Sequence, residues 1–177
     1  MKFCSNCGEK VVRRVPPGDT LERWLCDRCG VIHYENPRLV VGSIPEHSGR
    51  LLLCRRAIEP RYGYWTLPAG FMENGETAGE AAMRETLEEA GAKIALGEPF
   101  SMVSVPRVNQ VHLFYRAKLL DLDFKAGEET LETALFEEAG VPWEALAFRT
   151  VAYTLKRWFE DRAQGHQGFY AADIGPA

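Results

Sequence analysis

The segment GFMENGETAGEAAMRETLEEAGA, residues 70–92, constrains this chain more than any other. It spells out a helix with both ends marked and a costly distribution of charge. Thr77-Ala78-Gly79-Glu80 has capping-box spacing, in which the Thr77 hydroxyl accepts from the Glu80 amide while the Glu80 side chain reaches back. Gly91 stands where a helix stops in the left-handed conformation. At about 100° per residue, Met83, Leu87 and Ala90 fall on one side and are expected to face a core, with Glu85, Glu88 and Glu89 opposite. Like charges at these spacings repel by about 0.3 kcal/mol per pair, and the helix dipole disfavours acids in the second half. Three hard oxygen donors held together against both penalties point to Mg²⁺ or Mn²⁺ bound jointly with phosphate groups. Arg84 can neutralise part of the cluster and pair with Glu76 from the preceding loop. A solvated acidic face is the common fate of such a run, so the wider spacing has to decide.

That spacing is Gly70, five residues, Glu76, seven residues, Arg84-Glu85, two residues, Glu88-Glu89, one residue, Gly91, and it resembles the Nudix box. Seven fixed positions at average residue frequencies recur by chance on the order of once in a million chains of this size. Trp65-Thr66-Leu67-Pro68-Ala69 also looks like the family's approach to the box. Thr86 stands where an aliphatic residue usually follows Arg-Glu, and Ala92 fills the last position. Both departures fall on the packing side. The resemblance covers roughly residues 38–162 and implies an α/β/α sandwich with a mixed sheet. It further implies that Glu85, Glu88 and Glu89 are catalytic metal ligands, Glu76 an auxiliary acid and Arg84 an orienting partner. The implied reaction is metal-dependent hydrolysis of a nucleoside diphosphate derivative, with water attacking phosphorus while the metal neutralises the pyrophosphate.

Two CxxCG units, Cys4-Ser5-Asn6-Cys7-Gly8 and Cys26-Asp27-Arg28-Cys29-Gly30, frame the N-terminal segment. Paired CxxC units at this separation suit a tetrahedral Cys₄ zinc site. Four thiolates close the shell, so His33 is not expected to ligate, and the zinc is expected to be structural. A nucleic-acid-binding finger is the rival reading. Residues 1–35 hold six Lys and Arg against five Asp and Glu, and a zinc site of four thiolates adds −2, leaving about −1. That is no phosphate-binding footprint. The whole chain goes from a formal −4 to about −6 on the same count, so partners are expected to be small nucleotides reached through divalent cations, not nucleic acid.

The expected plan is a ribbon over 1–36, a catalytic domain over 37–165 and a loosely held tail over 166–177, with Glu35-Asn36-Pro37 as the junction. Strands are expected at Val11–Val15, Leu21–Leu25, Leu39–Ile44, Arg50–Arg56, Gln110–Leu120 and Leu131–Phe136, with a second helix near Thr150–Arg162. Strands dispersed around helices give an α/β class. In Gln110–Leu120, Val111, Leu113, Tyr115, Ala117 and Leu119 share a face. No run approaches the roughly 20 apolar residues of a membrane span. Without a secretory stretch, and with metal-type cysteine spacing, a cytoplasmic location is expected. The reading leaves room for a homodimer.

For the substrate, a ribbon joined to this box resembles the NADH pyrophosphatases, but Gly97-Glu98-Pro99-Phe100-Ser101-Met102 departs from their SQPWPF-type motif. The combination FCSNCG, YENPRLVVG, WTLPAGFMENGE and SVPRVNQ more closely resembles ribbon-bearing bacterial Nudix proteins and plant chloroplast FAD pyrophosphatases. Pro106 lies about where ADP-ribose pyrophosphatases place a marker proline. The resemblance implies an ADP-containing substrate, FAD or ADP-ribose, cleaved to release AMP, with NADH or nucleoside triphosphates as alternatives. A binding protein for ADP-ribose-like ligands that has lost catalysis would show a missing box acid, and none is missing. Glu128, Glu129 and Glu132 are candidates for the general base, and Arg55, Arg56 and Arg107 for phosphate contacts.

Overall fold

Prolines and glycines set the corners of the N-terminal unit. Pro16-Pro17-Gly18-Asp19 turns with Gly18 at a φ of 82° and the Asp19 amide donating to the Pro16 carbonyl. The turn joins β1 (Val12–Arg14) to β2 (Arg23–Leu25), and β3 (Ile32–His33) completes an antiparallel sheet in the order β1-β2-β3. This computed structural model describes residues 1–175, and the chain divides into two units, Met1–Asn36 and Pro37–Ala177.

The second unit is built on β4 (Arg38–His47), β5 (Arg50–Arg56), β6 (Trp65–Thr66), β7 (Ala69–Phe71), β8 (Ile94–Val105), β9 (Gln110–Leu119), β10 (Thr130–Phe136) and β11 (Tyr170–Asp173). Its helices are α1 (Ala78–Ala90) and α2 (Arg149–Gln164). The main sheet runs β10-β5-β4-β9-β8-β11, parallel between β4 and β9 and between β8 and β11 and antiparallel elsewhere. Alternation along β5 sends Leu51 and Leu53 to one face, into a core with Ile44, Phe100, Phe114 and the Val151, Leu155, Trp158 and Phe159 stripe of α2. Leu52 and Cys54 point the other way, toward Ala90 of α1. One helix on each face makes the α/β/α Nudix sandwich that the box resemblance implies.

The β4–β5 hairpin stays paired for only two positions, Glu46 with Leu51 and His47 with Arg50. Beyond that the strands part and a wedge fills the gap. There β7 pairs with β4 over Val40–Gly42, and β6 pairs with β5 at Cys54 and Arg55. The wedge presses so closely that a Cβ at Gly42 would collide with the Ala69 side chain and the Pro68 carbonyl. The Ser43 amide donates to that same carbonyl at 3.2 Å.

Two expectations need correction, and a third proves incomplete. Met83 and Leu87 do not face the core: they are 40% and 54% exposed, while Glu85 and Glu89 are buried. The helix packs through Ala81, Ala82, Thr86 and Ala90, whose short side chains let it approach the sheet closely enough to bury the acids as well. In β9 the expected face includes the buried Ala117 and Leu119, but His112 and Phe114 on the other face are buried too, because helices cover both faces of the sheet. Finally, part of the expected tail is a strand, β11, parallel to β8; residues 176–177 of that tail lie outside the described residues.

The tail is held by a buried carboxylate. Asp161 of α2 is 2% exposed and accepts from the Gly168 amide at 2.9 Å, from Arg116 of β9 at 2.5 Å and from the Tyr170 hydroxyl. Removing one partner of a buried charge pair leaves the other uncompensated. Asp161→Ala is therefore expected to cost about 3 kcal/mol, read as a lower denaturation midpoint. Faster amide exchange at 170–173 is expected with it; unchanged exchange there would show that backbone pairing alone holds β11.

Candidate catalytic site and metal centre

Local rules shape α1 and the loop before it. Thr77 is the N-cap, with both halves of the capping box present, and Gly91 closes the helix in the left-handed region. The carbonyls of the last turn are satisfied from outside as well as within. The Gly91 amide donates to Leu87, while the Lys125 and Gly127 amides donate to Ala90 and Glu89. Gly127 has no room for a Cβ, which would strike the Glu88 carbonyl. The loop after β9 is thereby registered on the end of the acidic helix.

Arg84 organises the solvent side of the cluster. It grips Glu76 with two hydrogen bonds of 3.0 and 2.7 Å, and its third nitrogen reaches Glu85 at 2.7 Å and Glu88 at 3.0 Å. The guanidinium, with the Glu73 amide, holds the Glu76 carboxyl down to about 2. Glu85 and Glu89 behave differently because they are buried. The Glu85 carboxylate lies where a side chain on Gly70 would be, which explains the glycine. Burial raises its pKa, opposed by Arg84. Glu89 accepts the Ala69 amide at 3.0 Å, yet burial pushes it up to about 7, with Glu85 and Glu129 adding to the rise and Arg56 opposing it. Glu88 is exposed.

The other expected site residues separate. Glu129 lies near enough to Glu89 to influence its charge, whereas Glu132 is ion-paired with Arg55 at 3.6 Å and Glu128 is an exposed neighbour of Glu129. Arg55 and Arg56 donate through Nε to the carbonyls of Gly63 and Pro60, which anchors the 57–64 loop. Arg56 also stacks on Phe148 at 5.1 Å. Arg107 is exposed in the turn Pro106–Val108, where β8 passes to β9. Cys54 is buried beneath the cluster, and burial, then Glu89, pushes its thiol pKa up. No local pattern in the chain marks the Ala69 amide as the partner of Glu89. The cap from Lys125 and Gly127 had a trace in the isolated Gly127.

The four ribbon cysteines converge. Their sulfurs all lie within 4.8 Å of one another, with Cys4 to Cys29 at 3.6 Å and Cys7 to Cys26 at 3.4 Å. Tetrahedral zinc with Zn–S bonds of about 2.3 Å needs sulfurs roughly 3.8 Å apart, so the donor set fits the ion. The two knuckles match: Gly8 and Gly30 have φ of 74° and 73° and donate to the carbonyls of Cys4 and Cys26. His33 is outside this group, and its Nε2 is buried without a hydrogen-bond partner.

A carboxyl with a raised pKa makes stability depend on pH. Folded Glu89 keeps, up to about pH 7, a proton that the unfolded chain releases near the ordinary 4.5. Through that window the native state binds more protons, so its contribution to stability falls as pH rises. In buffer free of Mg²⁺ and Mn²⁺, the melting temperature of Glu89→Gln relative to the unsubstituted chain is therefore expected to climb between pH 5 and 8. A constant difference would show that Glu89 titrates normally.

Comparison with known proteins agrees with this geometry. A family model described as Nudix N-terminal matches residues 2–35, and one described as NUDIX domain matches residues 36–161. The ADP-ribose pyrophosphatase of Methanocaldococcus jannaschii is 31% identical over 129 residues, 71% of this chain and 76% of that protein. The NAD-capped RNA hydrolase NudC of Salmonella typhi is 36% identical over 95 residues, 52% of this chain but only 34% of its own length. A crystal structure of a NUDIX hydrolase from Nitrosomonas europaea superposes with a TM-score of 0.96 at 51% identity, covering 99% of this chain and all of that one. An ADP-ribose pyrophosphatase from Streptococcus suis shares the fold, with a TM-score of 0.63 at 21% identity over 78% of this chain and all of that one. With the acidic helix set on its glycine wedge and the cysteines gathered in two matched knuckles, the chain belongs to the Nudix hydrolase family and carries that family's N-terminal zinc ribbon.

Proposed function

We propose that this hydrolase cleaves the pyrophosphate of an ADP-containing nucleoside diphosphate derivative, ADP-ribose or FAD, releasing AMP. The observation that carries the reading is the burial of Glu85 and Glu89 beside Glu88 on one turn of α1. Two buried carboxylates next to a third call for a cation, and hard oxygen donors select Mg²⁺ or Mn²⁺. Such an ion supplies charge neutralisation and polarisation of the pyrophosphate. Glu85, Glu88 and Glu89 hold it, and Arg84 keeps Glu85 and Glu88 in place while tying down Glu76. Glu129, near enough to influence the charge of Glu89, takes the proton of the attacking water. The water oxygen bonds to one phosphorus as the bridging P–O bond breaks, leaving two phosphate monoesters. Similarity to an ADP-ribose pyrophosphatase over three quarters of its length supports the ADP-ribose arm, and Pro106 opens the turn after β8.

A panel of ADP-ribose, FAD, NADH, diadenosine polyphosphates and nucleoside triphosphates, followed by chromatography, tests the substrate. AMP release from ADP-ribose or FAD that requires added Mg²⁺ or Mn²⁺ is expected, and preference for triphosphates would overturn it. Glu89→Gln is expected to lower kcat by about 10³-fold or more while the chain stays folded, since it removes a ligand to the activating ion. Glu129→Gln should cost about 10²-fold, the usual scale of a general base.

The ribbon is proposed to hold one structural zinc through Cys4, Cys7, Cys26 and Cys29, leaving no open position for water or phosphate. Metal analysis should find about one zinc per chain. Cys26→Ser should loosen residues 1–36, a segment too small to hold a core unaided. A zinc-free chain with that segment intact would refute the assignment.

A further inference from the structure

The inner face of α1 is mostly alanine, and small smooth side chains fix a helix's rotation poorly. The larger apolar residues, Met83 and Leu87, point outward, so hydrophobic burial alone would favour turning them in and the acids out. Directional contacts oppose that turn: at the wedge Glu89 accepts the Ala69 amide and Arg84 donates to the Phe71 carbonyl, and a third contact lies fully inside the interface with β4. Thr86 of α1 and Ser43 of β4 are both fully buried, and their hydroxyl oxygens lie 2.5 Å apart. Thr86 gives its proton to the Ala82 carbonyl at 2.6 Å, so Ser43 must be the donor to Thr86. The amide of Ser43 donates meanwhile to Pro68, at the tip of the wedge that presents Ala69 and Gly70 to the acids. Ser43 thus joins the helix to the same wall that Glu89 meets at the Ala69 amide and Arg84 at the Phe71 carbonyl.

We propose that Ser43 and Thr86 form a matched positioning pair that locks the rotation of α1 and thereby sets Glu85 and Glu89 for divalent-cation binding; this rests on reading those acids as the ligands. Thr86 directly follows Glu85 and precedes Glu89 by three positions, so helix rotation at Thr86 moves both. A turn of about 15° displaces a carboxylate well off the axis by more than 1 Å, beyond what Mg²⁺ or Mn²⁺ geometry tolerates. Losing the Thr86 hydroxyl breaks the lock and leaves the Ser43 hydroxyl buried and unpaired, whereas losing that of Ser43 leaves Thr86 its bond to the Ala82 carbonyl. Losing both restores a matched, apolar contact of nearly the same volume.

The test is Mn²⁺ binding by the full chain without nucleotide, measured by electron paramagnetic resonance of free Mn²⁺, with melting temperatures in parallel. Thr86→Val is expected to weaken Mn²⁺ binding by about tenfold, the scale of lost support behind a metal ligand. Thr86→Ser keeps the hydroxyl and should bind like the unsubstituted chain, and Ser43→Ala with Thr86→Val should regain most of the affinity. Unchanged binding in Thr86→Val, whatever its melting temperature, overturns the inference alone, as do a Thr86→Ser as weak as Thr86→Val or additive losses in the double variant. An unsubstituted chain that binds no Mn²⁺ overturns the metal reading and this inference together.

Discussion

The domain depends on a carboxylate buried against a single peptide amide. Glu89 has the Ala69 N–H for the hydration shell it gives up, and that burial raises its pKa. Several distant features make sense as conditions for that burial. The alanine face of α1 permits close approach. The glycine at 70 leaves room for the neighbouring Glu85, and Gly42 lets the wedge bring Ala69 near. The parting of β4 and β5 makes room for the wedge itself. None of these is required by a generic α/β/α sandwich; together they raise the energy of two side chains that the apolar core must then outweigh.

How much of this was legible in the sequence follows from which interactions are local. The Thr77–Glu80 box and the Gly91 stop depend on neighbours along the chain, and both were readable as written. The cysteine knuckles repeat a local rule twice. The facing of α1 was not readable, because Met83 and Leu87 mark an apolar stripe that tertiary contact overrides. The long strand β8, Ile94–Val105, was missed altogether. Gly97 and Pro99 interrupt its alternation, and its ladder with β9 shifts register at Pro99. Strand β11 has few residues of its own to announce it and depends on Asp161, a buried acid that looks like surface charge in α2. Among Glu128, Glu129 and Glu132, only packing of the loop on the end of α1 could distinguish them.

Two donor chemistries sit in separate units of one chain. Four soft sulfurs at tetrahedral spacing suit a closed shell, and the backbone amides around them are divided between the turns, as at Gly8 and Gly30, and the sulfurs, as at Asn6. The hard carboxylates of α1 leave one side open because Glu88 is exposed. On the proposed reading, substrate chemistry therefore belongs to the second unit on electronic grounds as well as by family resemblance.

The remaining question is how so much negative charge persists around α1 without a cation. Arg84 and a proton divide the task by depth. At the surface the guanidinium binds Glu76, Glu85 and Glu88, and water screens what it leaves. Deeper in, beyond the reach of Arg84, Glu89 is half protonated near neutrality. A cation entering between Glu85 and Glu89 would expel that proton and relieve the repulsion together. Binding on the proposed reading is thus coupled to proton release at the pH where the group is poised, while two nitrogens of Arg84 are engaged with Glu76 and not with the proposed ligands.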